Sequence, residues 1–528
     1  MQQHDGACAD LTSAGAAVRT LPATPALGSR PVPADLALAP AAASDEPKEA
    51  CGVFGVYLPE EQIARLTFYG LFALQHRGQE SAGIATADNG SLHLRTGMGL
   101  VAQVFEEEDL AHLPGHLGIG HTRYSTTGSS RIANAQPIHI IGPRGEIALA
   151  HNGNLVNAHI LRRQLEEQRQ DLTTSTDSEL IARMLSMAPG FTWVERLRHV
   201  MRRIEGAYCL TILTPDKVIG VRDPMGNRPL CIGRLDGGWC IASETCALDH
   251  LGAEYVREVE PGEVVILDRD GMHAEQAVES KQDAFCIFEY IYFSRPDSII
   301  RDRRIYPMRM AMGAELWKEY PVDADIVIGV PDSATAAAVG YARASGIPFA
   351  EGLMKNRYVG RTFIQPDQRL RETGVHLKFN PVREVLEGQR VVVVDDSIVR
   401  GTTTPRVVKL IRDAGAREVH LRICAPPIRH PCHFGVDMAT RKELLAARIS
   451  VEEIERLSGA DSLGYLSLDG LIRATGMPRD SFCLACFTGN YPVPVQLEFD
   501  KLTLEGSDYR QPVLVAAGDA DHPHDGVR

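Results

Sequence analysis

The chain has 528 residues, with 55 Lys and Arg against 68 Asp and Glu, a net charge of −13. That balance disfavours a general nucleic-acid binder, which needs a basic excess to neutralise phosphates, but it permits a local basic pocket for one small anion. Length predicts three or four structural units at about 150 residues each; no apolar run approaches the roughly 20 residues of a membrane helix, and eleven sparse cysteines without a secretory signal point to a reducing cytoplasm.

Residues 1–50 form a leader in which Ala and Pro supply 20 positions and aromatics are absent, a composition that predicts disorder. Apolar content switches on at Cys51 with CGVFGVYL. From there to about residue 270 the pattern predicts many short strands broken by Gly and Asn turns, among them GHLGIGHTRYST, GEIALAHNGNLVN, GAYCLTILTPDKVIGVRD and GWCIASE. Two amphipathic helices, at Glu60–Gln75 and Thr176–Met187, interrupt them. This is an α+β pattern, with sheets inside and helices outside.

From about residue 320 strands alternate with helices. Strands are predicted at Ala324–Val330, Pro348–Leu353, Arg390–Val394 and Val419–Ala425. Helices are predicted at Ser333–Ser345, stopped by Gly346, and from Pro405 to Ala414, capped by Gly415. This spacing implies a parallel doubly wound sheet that binds ligands at the carboxyl ends of its strands. Residues 439–500 read as short helices carrying a Cys pair, and 501–528 as a flexible tail. The resulting organisation is 1–50 leader, 51–280 first domain, 281–500 second domain and 501–528 tail.

VVVVDDSIVRGTTTP (Val391–Pro405) carries the most chemistry. Four Val make a strand buried on both faces. Asp395 and Asp396 stand at its carboxyl end, placed for hydrated Mg²⁺ or ribose hydroxyls, while Ser397 to Thr404, with Gly401, lead into a helix N-terminus that favours phosphate. GxxxxGK[ST] is missing, which argues against a nucleoside triphosphatase loop. The segment resembles the signature of type I phosphoribosyltransferases, which bind phosphoribosyl pyrophosphate (PRPP). A long basic stretch, Lys355–Lys378, holding Lys355, Arg357, Arg361, Arg369 and Arg371, reads as a lid that orders over an anion.

Cys51 opens the folded region. Freed of residues 1–50 it would carry a thiol nucleophile and an α-amine of unperturbed pKa near 8, a suitable general base. Arg123 in HTRYST offers a fork for a carboxylate, and Asp177 in STDSE a partner for an α-ammonium group. Asn152 and Gly153 in HNGNL offer a side-chain amide beside a backbone N–H, the makings of an oxyanion hole. Together these describe a site that hydrolyses the amide of glutamine.

CGVFG, LQHRGQESAGIA, GHTRYSTTG, HNGNLVN, TSTDSE and DPMGNRPL resemble the N-terminal-nucleophile glutaminase domain of class II amidotransferases. KNRYVGRTFI and VVVVDDSIVRGTT resemble the phosphoribosyltransferase half of the glutamine PRPP amidotransferase family, and the likeness covers roughly residues 51–490. It implies stacked antiparallel sheets flanked by helices, then an α/β domain with a parallel sheet. It further implies synthesis of 5-phosphoribosylamine, glutamate and pyrophosphate from glutamine, PRPP and water, the first committed step of purine synthesis. On this resemblance Cys51, Asn152 and Gly153 are catalytic, and Arg123 and Asp177 bind glutamine. PRPP falls to Lys355, Arg357, Asp395, Asp396, Ser397, Arg400, Gly401, Thr402 and Thr403, and Mg²⁺ to Ser333, Asp395 and Asp396. It also implies inhibition by purine nucleotides and assembly as a homotetramer. A leader cut is expected after Ala50.

Cys483 and Cys486 form a CxxC pair, a spacing shared by redox, zinc and plain buried cysteines. With Cys286 and Cys432 they match the branch of the family that carries a 4Fe–4S cluster, and structural zinc is the alternative for four thiolates. Cys209, Cys231, Cys240, Cys246 and Cys424 read as core. Two other readings remain: a sugar-phosphate aminating amidotransferase, opposed by the DDSIVRGTT loop, and a PRPP-sensing regulator without catalysis, which has no use for the Cys51 constellation.

Overall fold

A computed structural model describes residues 51–59, 63–124, 128–355, 379–438, 440–496, 504 and 514–515. The leader, Arg357 with the rest of the basic stretch from residue 356, and most of the tail lie outside the described residues.

Among the described residues the first half holds thirteen strands in two antiparallel sheets. They are β1 (Gly52–Tyr57), β2 (Ser81–Asp88), β3 (Ser91–Met98), β4 (Leu117–Arg123), β5 (Ile138–Gly142), β6 (Gly145–Leu155), β7 (Gly206–Leu213), β8 (Val218–Arg222), β9 (Cys231–Leu235), β10 (Gly238–Ala242), β11 (Glu254–Glu258), β12 (Glu263–Asp268) and β13 (Gly271–Gln276). One sheet runs β11-β9-β10-β1-β4-β2-β3 and the other β13-β12-β8-β7-β6-β5. Between them lies a dry core of small and branched residues, including Val53, Ala85, Ile119, Ala150, Leu213, Ile241 and Val265. Ala and Val let the two faces approach closely, and the strand period turns the alternate residues outward onto helices.

Helix Ile63–Ala73 packs on the outer face of the first sheet with Thr245–Leu251. Ala158–Glu167, Asp177–Met187 and Trp193–Met201 cover the second. Helices at Ile63–Ala73 and Asp177–Met187 answer the two predicted ones, but among the described residues of the first half five others, Val101–Val104, Glu107–Ala111, Ala158–Glu167, Trp193–Met201 and Thr245–Leu251, went unread in the sequence. Trp193–Met201 did carry a signal, since Thr192 and Glu195 form a capping box at its start. Cys246 is buried as expected, on a helix rather than a strand.

A parallel two-residue pairing, β14 (Phe285–Cys286) with β23 (Phe482–Cys483), ties the start of the second half to its end. In between lie the ribbon β15 (Ile299–Ile300) with β16 (Arg303–Arg304), then β17 (Ile326–Gly329), β18 (Leu353–Lys355), β19 (Phe379–Pro381), β20 (Arg390–Asp395), β21 (Glu418–Ile423) and β22 (Ser462–Tyr465). β17-β20-β21-β22 is a parallel sheet. Val391 and Val393 face one apolar cluster and Val392 and Val394 the other, so all four Val are fully buried. The predicted strand at Pro348–Leu353 is a correction. Only Phe349 bridges to Val327 there, and regular pairing is confined to Leu353–Lys355, against β19. Pro348 lacks an N–H and Gly352 lacks a side chain to pack, which leaves the intervening stretch irregular.

Candidate active sites

Strand order places Cys51 just before β1, beside the end of β4, because Gly52 pairs with Thr122. Its Sγ donates to the Tyr124 carbonyl at 3.3 Å and accepts from the Tyr124 N–H at 3.4 Å. Burial pushes the thiol above its ordinary value, and the Tyr124 N–H and the Arg123 charge only partly offset this. Cys51, Arg123, Gly153 and Asp177 line one pocket with Tyr124, His151 and Ser178. Four of the five sequence-predicted residues of the first half thus line one pocket, and Asn152 adjoins it in the chain.

Asn152 and Gly153 sit on β6, paired with Cys209 and Tyr208 of β7. Gly153 has φ +150°, and a Cβ there would lie 2.0 Å from the Ala207 carbonyl, so no larger residue fits. Both amide atoms of Asn152 are buried without a protein hydrogen-bond partner, an arrangement that asks for a ligand. Asp177 opens the helix Asp177–Met187, where its Oδ2 accepts from Leu155 N at 2.9 Å. Burial raises this carboxyl, but His151, 3.6 Å away, and backbone N–H groups outweigh it and keep it ionised below its usual range. A cationic Arg123 and an anionic Asp177 on one small pocket suit a free amino acid. Sequence reasoning missed Tyr124, which acts through main-chain atoms, and His151, which lies inside the quoted HNGNL motif.

The second site forms at the carboxyl ends of β17 and β20. Asp396 accepts from Ser333 Oγ and Ser397 Oγ, both at 2.6 Å. The Asp395 carboxylate accepts from the Asp396 N–H at 2.9 Å. Residues 400–403 lead into helix Thr404–Asp413, whose N-terminal N–H groups favour phosphate. Lys355 reaches Asp332, beside Ser333, at 3.1 Å. Arg400 is turned toward Glu443 (2.6 Å) and the Asp437 carbonyl (3.1 Å).

Residues 121–250 match the glutamine amidotransferase domain family, and residues 310–433 the phosphoribosyl transferase domain family. The amidophosphoribosyltransferase of Synechocystis sp. is 53% identical over 470 residues, covering 88% of this chain and 95% of that protein. That of Archaeoglobus fulgidus is 53% identical over 84% of this chain and 98% of its own. The chain belongs to the amidophosphoribosyltransferase family. The structure of the B. subtilis glutamine PRPP amidotransferase complexed with ADP and GMP superposes with a TM-score of 0.79 at 48% identity, covering 84% of this chain and 97% of that one. As an amidophosphoribosyltransferase the chain is a glycosyltransferase acting at the first step of purine biosynthesis, and its N-terminal-nucleophile and phosphoribosyltransferase architecture is that of the family.

Four cysteines gather in the second half of this amidophosphoribosyltransferase. Cys286 and Cys483 stand opposite each other in the β14–β23 pairing. Cys486 lies on the following helix, Ala485–Thr488, and its carbonyl accepts from Arg429 N and His430 N. Cys432 Sγ accepts from the Phe434 N–H at 3.4 Å. Burial pushes the Cys286 thiol up to about 11, and Cys483 and Cys486 higher still, with each sulfur felt by the others. Four gathered thiols, with backbone N–H groups of Phe288 and Ala485 serving two of them, suit a bound cationic centre. Another trio of ligand-type atoms, His76, Glu244 and Cys246, lies within 4.8 Å, but Glu244 is already paired with Arg77 and Ser298. No helix among the described residues is long and apolar enough to cross a membrane.

Proposed function

We propose that the two sites carry out the two halves of one reaction, in which glutamine supplies ammonia and PRPP accepts it. The observation that carries this reading is the unpartnered amide of Asn152 beside Gly153, in the strand next to a pocket that Cys51 shares with one fixed cation and one fixed anion. Arg123 holds the glutamine α-carboxylate and Asp177 its α-ammonium. Once residues 1–50 are removed after Ala50, the Cys51 α-amine takes the thiol proton and Sγ attacks the carboxamide carbon. Asn152 Nδ2 and the Gly153 N–H hold the oxyanion. The amine then protonates the leaving nitrogen, ammonia departs, and water cleaves the glutamyl thioester to glutamate.

Ammonia attacks C1 of PRPP as the C1–O bond to pyrophosphate breaks, yielding 5-phosphoribosylamine. The N–H groups of Arg400, Gly401, Thr402 and Thr403 hold the 5′-phosphate, Asp395 and Asp396 the ribose hydroxyls, and Ser397, Lys355 and Arg357 complete the PRPP site. Ser333, Asp395 and Asp396, an all-oxygen set, would hold Mg²⁺, which neutralises the pyrophosphate leaving group.

Cys286, Cys432, Cys483 and Cys486 would hold a 4Fe–4S cluster, which supplies a structural cross-link. The family likeness favours iron–sulfur over structural zinc, the alternative for four thiolates, and metal analysis for iron and acid-labile sulfide against zinc separates the two. The ten described cysteines are unpaired, in keeping with a cytoplasmic enzyme. Assembly as a homotetramer rests on the family likeness, and purine-nucleotide inhibition on the same likeness and the ADP and GMP of the B. subtilis structure. The organisation follows as 51–280 glutaminase and 281–500 phosphoribosyltransferase. The test is Cys51→Ala. It should abolish glutamine-driven phosphoribosylamine synthesis and keep the ammonia-driven reaction, and retention of the glutamine-driven reaction would refute the assignment.

A further inference from the structure

Two of the segments quoted above hold residues that the mechanism does not use, Arg77 in LQHRGQESAGIA and Arg228 in DPMGNRPL, and a third such residue, Glu289, follows Cys286 by three positions. The fold brings them together with none of their side chains exposed. Arg77 Nε donates to the Cys51 carbonyl at 3.1 Å. Its Nη1 and Nη2 donate to the Glu289 carboxylate at 3.0 and 2.8 Å, and Nη1 also to Glu244. Glu289, from the second half, accepts in addition from Arg228 Nη1 at 3.1 Å and Ser294 Oγ at 2.6 Å. Arg228 Nη2 donates to the Phe434 carbonyl at 3.1 Å, and the Phe434 N–H points at Cys432 Sγ. Two guanidinium and two carboxylate groups thus neutralise one another in a dry cage, and a continuous hydrogen-bonded line runs from the Cys51 main chain into the second half.

Cys51 has a particular need for such a grip. The β1–β4 ladder begins only at Gly52, so a residue 51 freed of its leader is tethered by the chain on one side alone. Its thiol is held by Tyr124 and its carbonyl by Arg77. A planar fork that donates from all three of its nitrogens is held rigid and fixes what it holds. On the same side, the Gly435 backbone packs against Gly153, where a Cβ on Gly435 would meet the Gly153 carbonyl carbon at 3.0 Å.

We infer that Arg77 and Glu289 are a positioning pair for the glutaminase nucleophile, through which the second half sets the backbone of Cys51. Attack geometry at Cys51 then depends on a carboxylate delivered by the phosphoribosyltransferase half, and hydrolysis of glutamine is tied to the docked arrangement of the two. This rests on the reading of Cys51 as nucleophile.

The experiment uses the full processed chain with Arg77→Lys, which keeps a buried positive charge between Glu244 and Glu289 but loses the Nε donor, and with Glu289→Gln. Each is assayed for glutamine hydrolysis, for ammonia-driven PRPP turnover and for the rate of Cys51 alkylation by iodoacetamide, read by mass spectrometry. Arg77→Lys should lower kcat for glutamine about 10- to 100-fold, with KM within about twofold and a matching change in Cys51 alkylation. Ammonia-driven turnover should stay at the parent rate, and Glu289→Gln should repeat this pattern. If Glu289→Gln loses ammonia-driven turnover as well, its second half has not folded and Arg77→Lys alone decides. In Arg77→Lys, unchanged glutamine kcat with unchanged alkylation would overturn the pair, as would a parallel fall of the glutamine and ammonia reactions. A Cys51→Ser control separates the two claims, since full glutamine hydrolysis in it would refute the nucleophile itself.

Discussion

Asn152 pays for its position at the level of the single residue. Leaving an amide buried and unpaired costs about 1–3 kcal/mol, and both of its polar atoms are in that state. In the proposed mechanism the oxyanion accepts from Asn152 Nδ2 and so recovers the donor's share of that loss. Asn152→Ala should therefore lower kcat for glutamine about 10²- to 10³-fold while leaving thermal stability equal or higher, as measured by steady-state kinetics and a melting curve. His121, on β4 with its Nε2 3.1 Å from the His151 carbonyl, is fully buried, and burial drives its pKa down to about 3. The folded state keeps it neutral while the unfolded chain takes up a proton near pH 6.5, so stability is lost as pH falls from about 6.5 toward 3. His433, pushed down by burial to about 4, acts in the same sense. Denaturant unfolding across that window should show a shallower loss in His121→Asn than in the parent, and an identical slope would contradict the assignment. Cys51, Arg123 and Asp177 were legible in the sequence because each chemistry needs that residue type. Tyr124 and Arg77 were not, since what they contribute is a main-chain contact or a partner far along the chain.

At the scale of the element, the strand-to-helix loop after β20 is where pattern and structure agree best. Four Val in succession have only one use in a soluble fold, a strand covered on both faces, and alternate Val side chains fall into two different clusters. The carboxylates that follow are then fixed at the strand end, Asp396 between two serine hydroxyls. Asp395→Asn with Asp396→Asn should reduce ammonia-driven PRPP turnover at least about 100-fold and leave glutamine binding by Arg123 and Asp177 intact. Unimpaired turnover would remove the loop from the PRPP site. The unread helices of the first half were less legible, since four to ten residues show the helical period over fewer than three turns. Pro348–Leu353 failed for the opposite reason: its apolar content reads as strand, while Pro348 and Gly352 deny it regular pairing.

Across the whole molecule, the two halves meet through hydrogen bonds that no local pattern announces. Asn154 Nδ2 donates to the His433 carbonyl at 3.0 Å, the Tyr124 hydroxyl to Asp437 at 3.2 Å, and Arg77 to Glu289. Residues 432–437 touch the strand of Asn152 and Gly153, the Cys51 neighbour Tyr124 and the Arg400 guanidinium, and they begin at one of the four gathered sulfurs. The order of the motifs along the chain foretold the two domain families, whereas the contact between the halves is a property of the folded pair. The proposed reaction requires coupling between them. The direct measurement follows glutamate and pyrophosphate together, anaerobically, on purified processed protein with Mg²⁺ and with glutamine, PRPP or both. Equal release of the two products, only when both substrates are present, is the predicted result. Glutamate release without pyrophosphate in the presence of both substrates would contradict it.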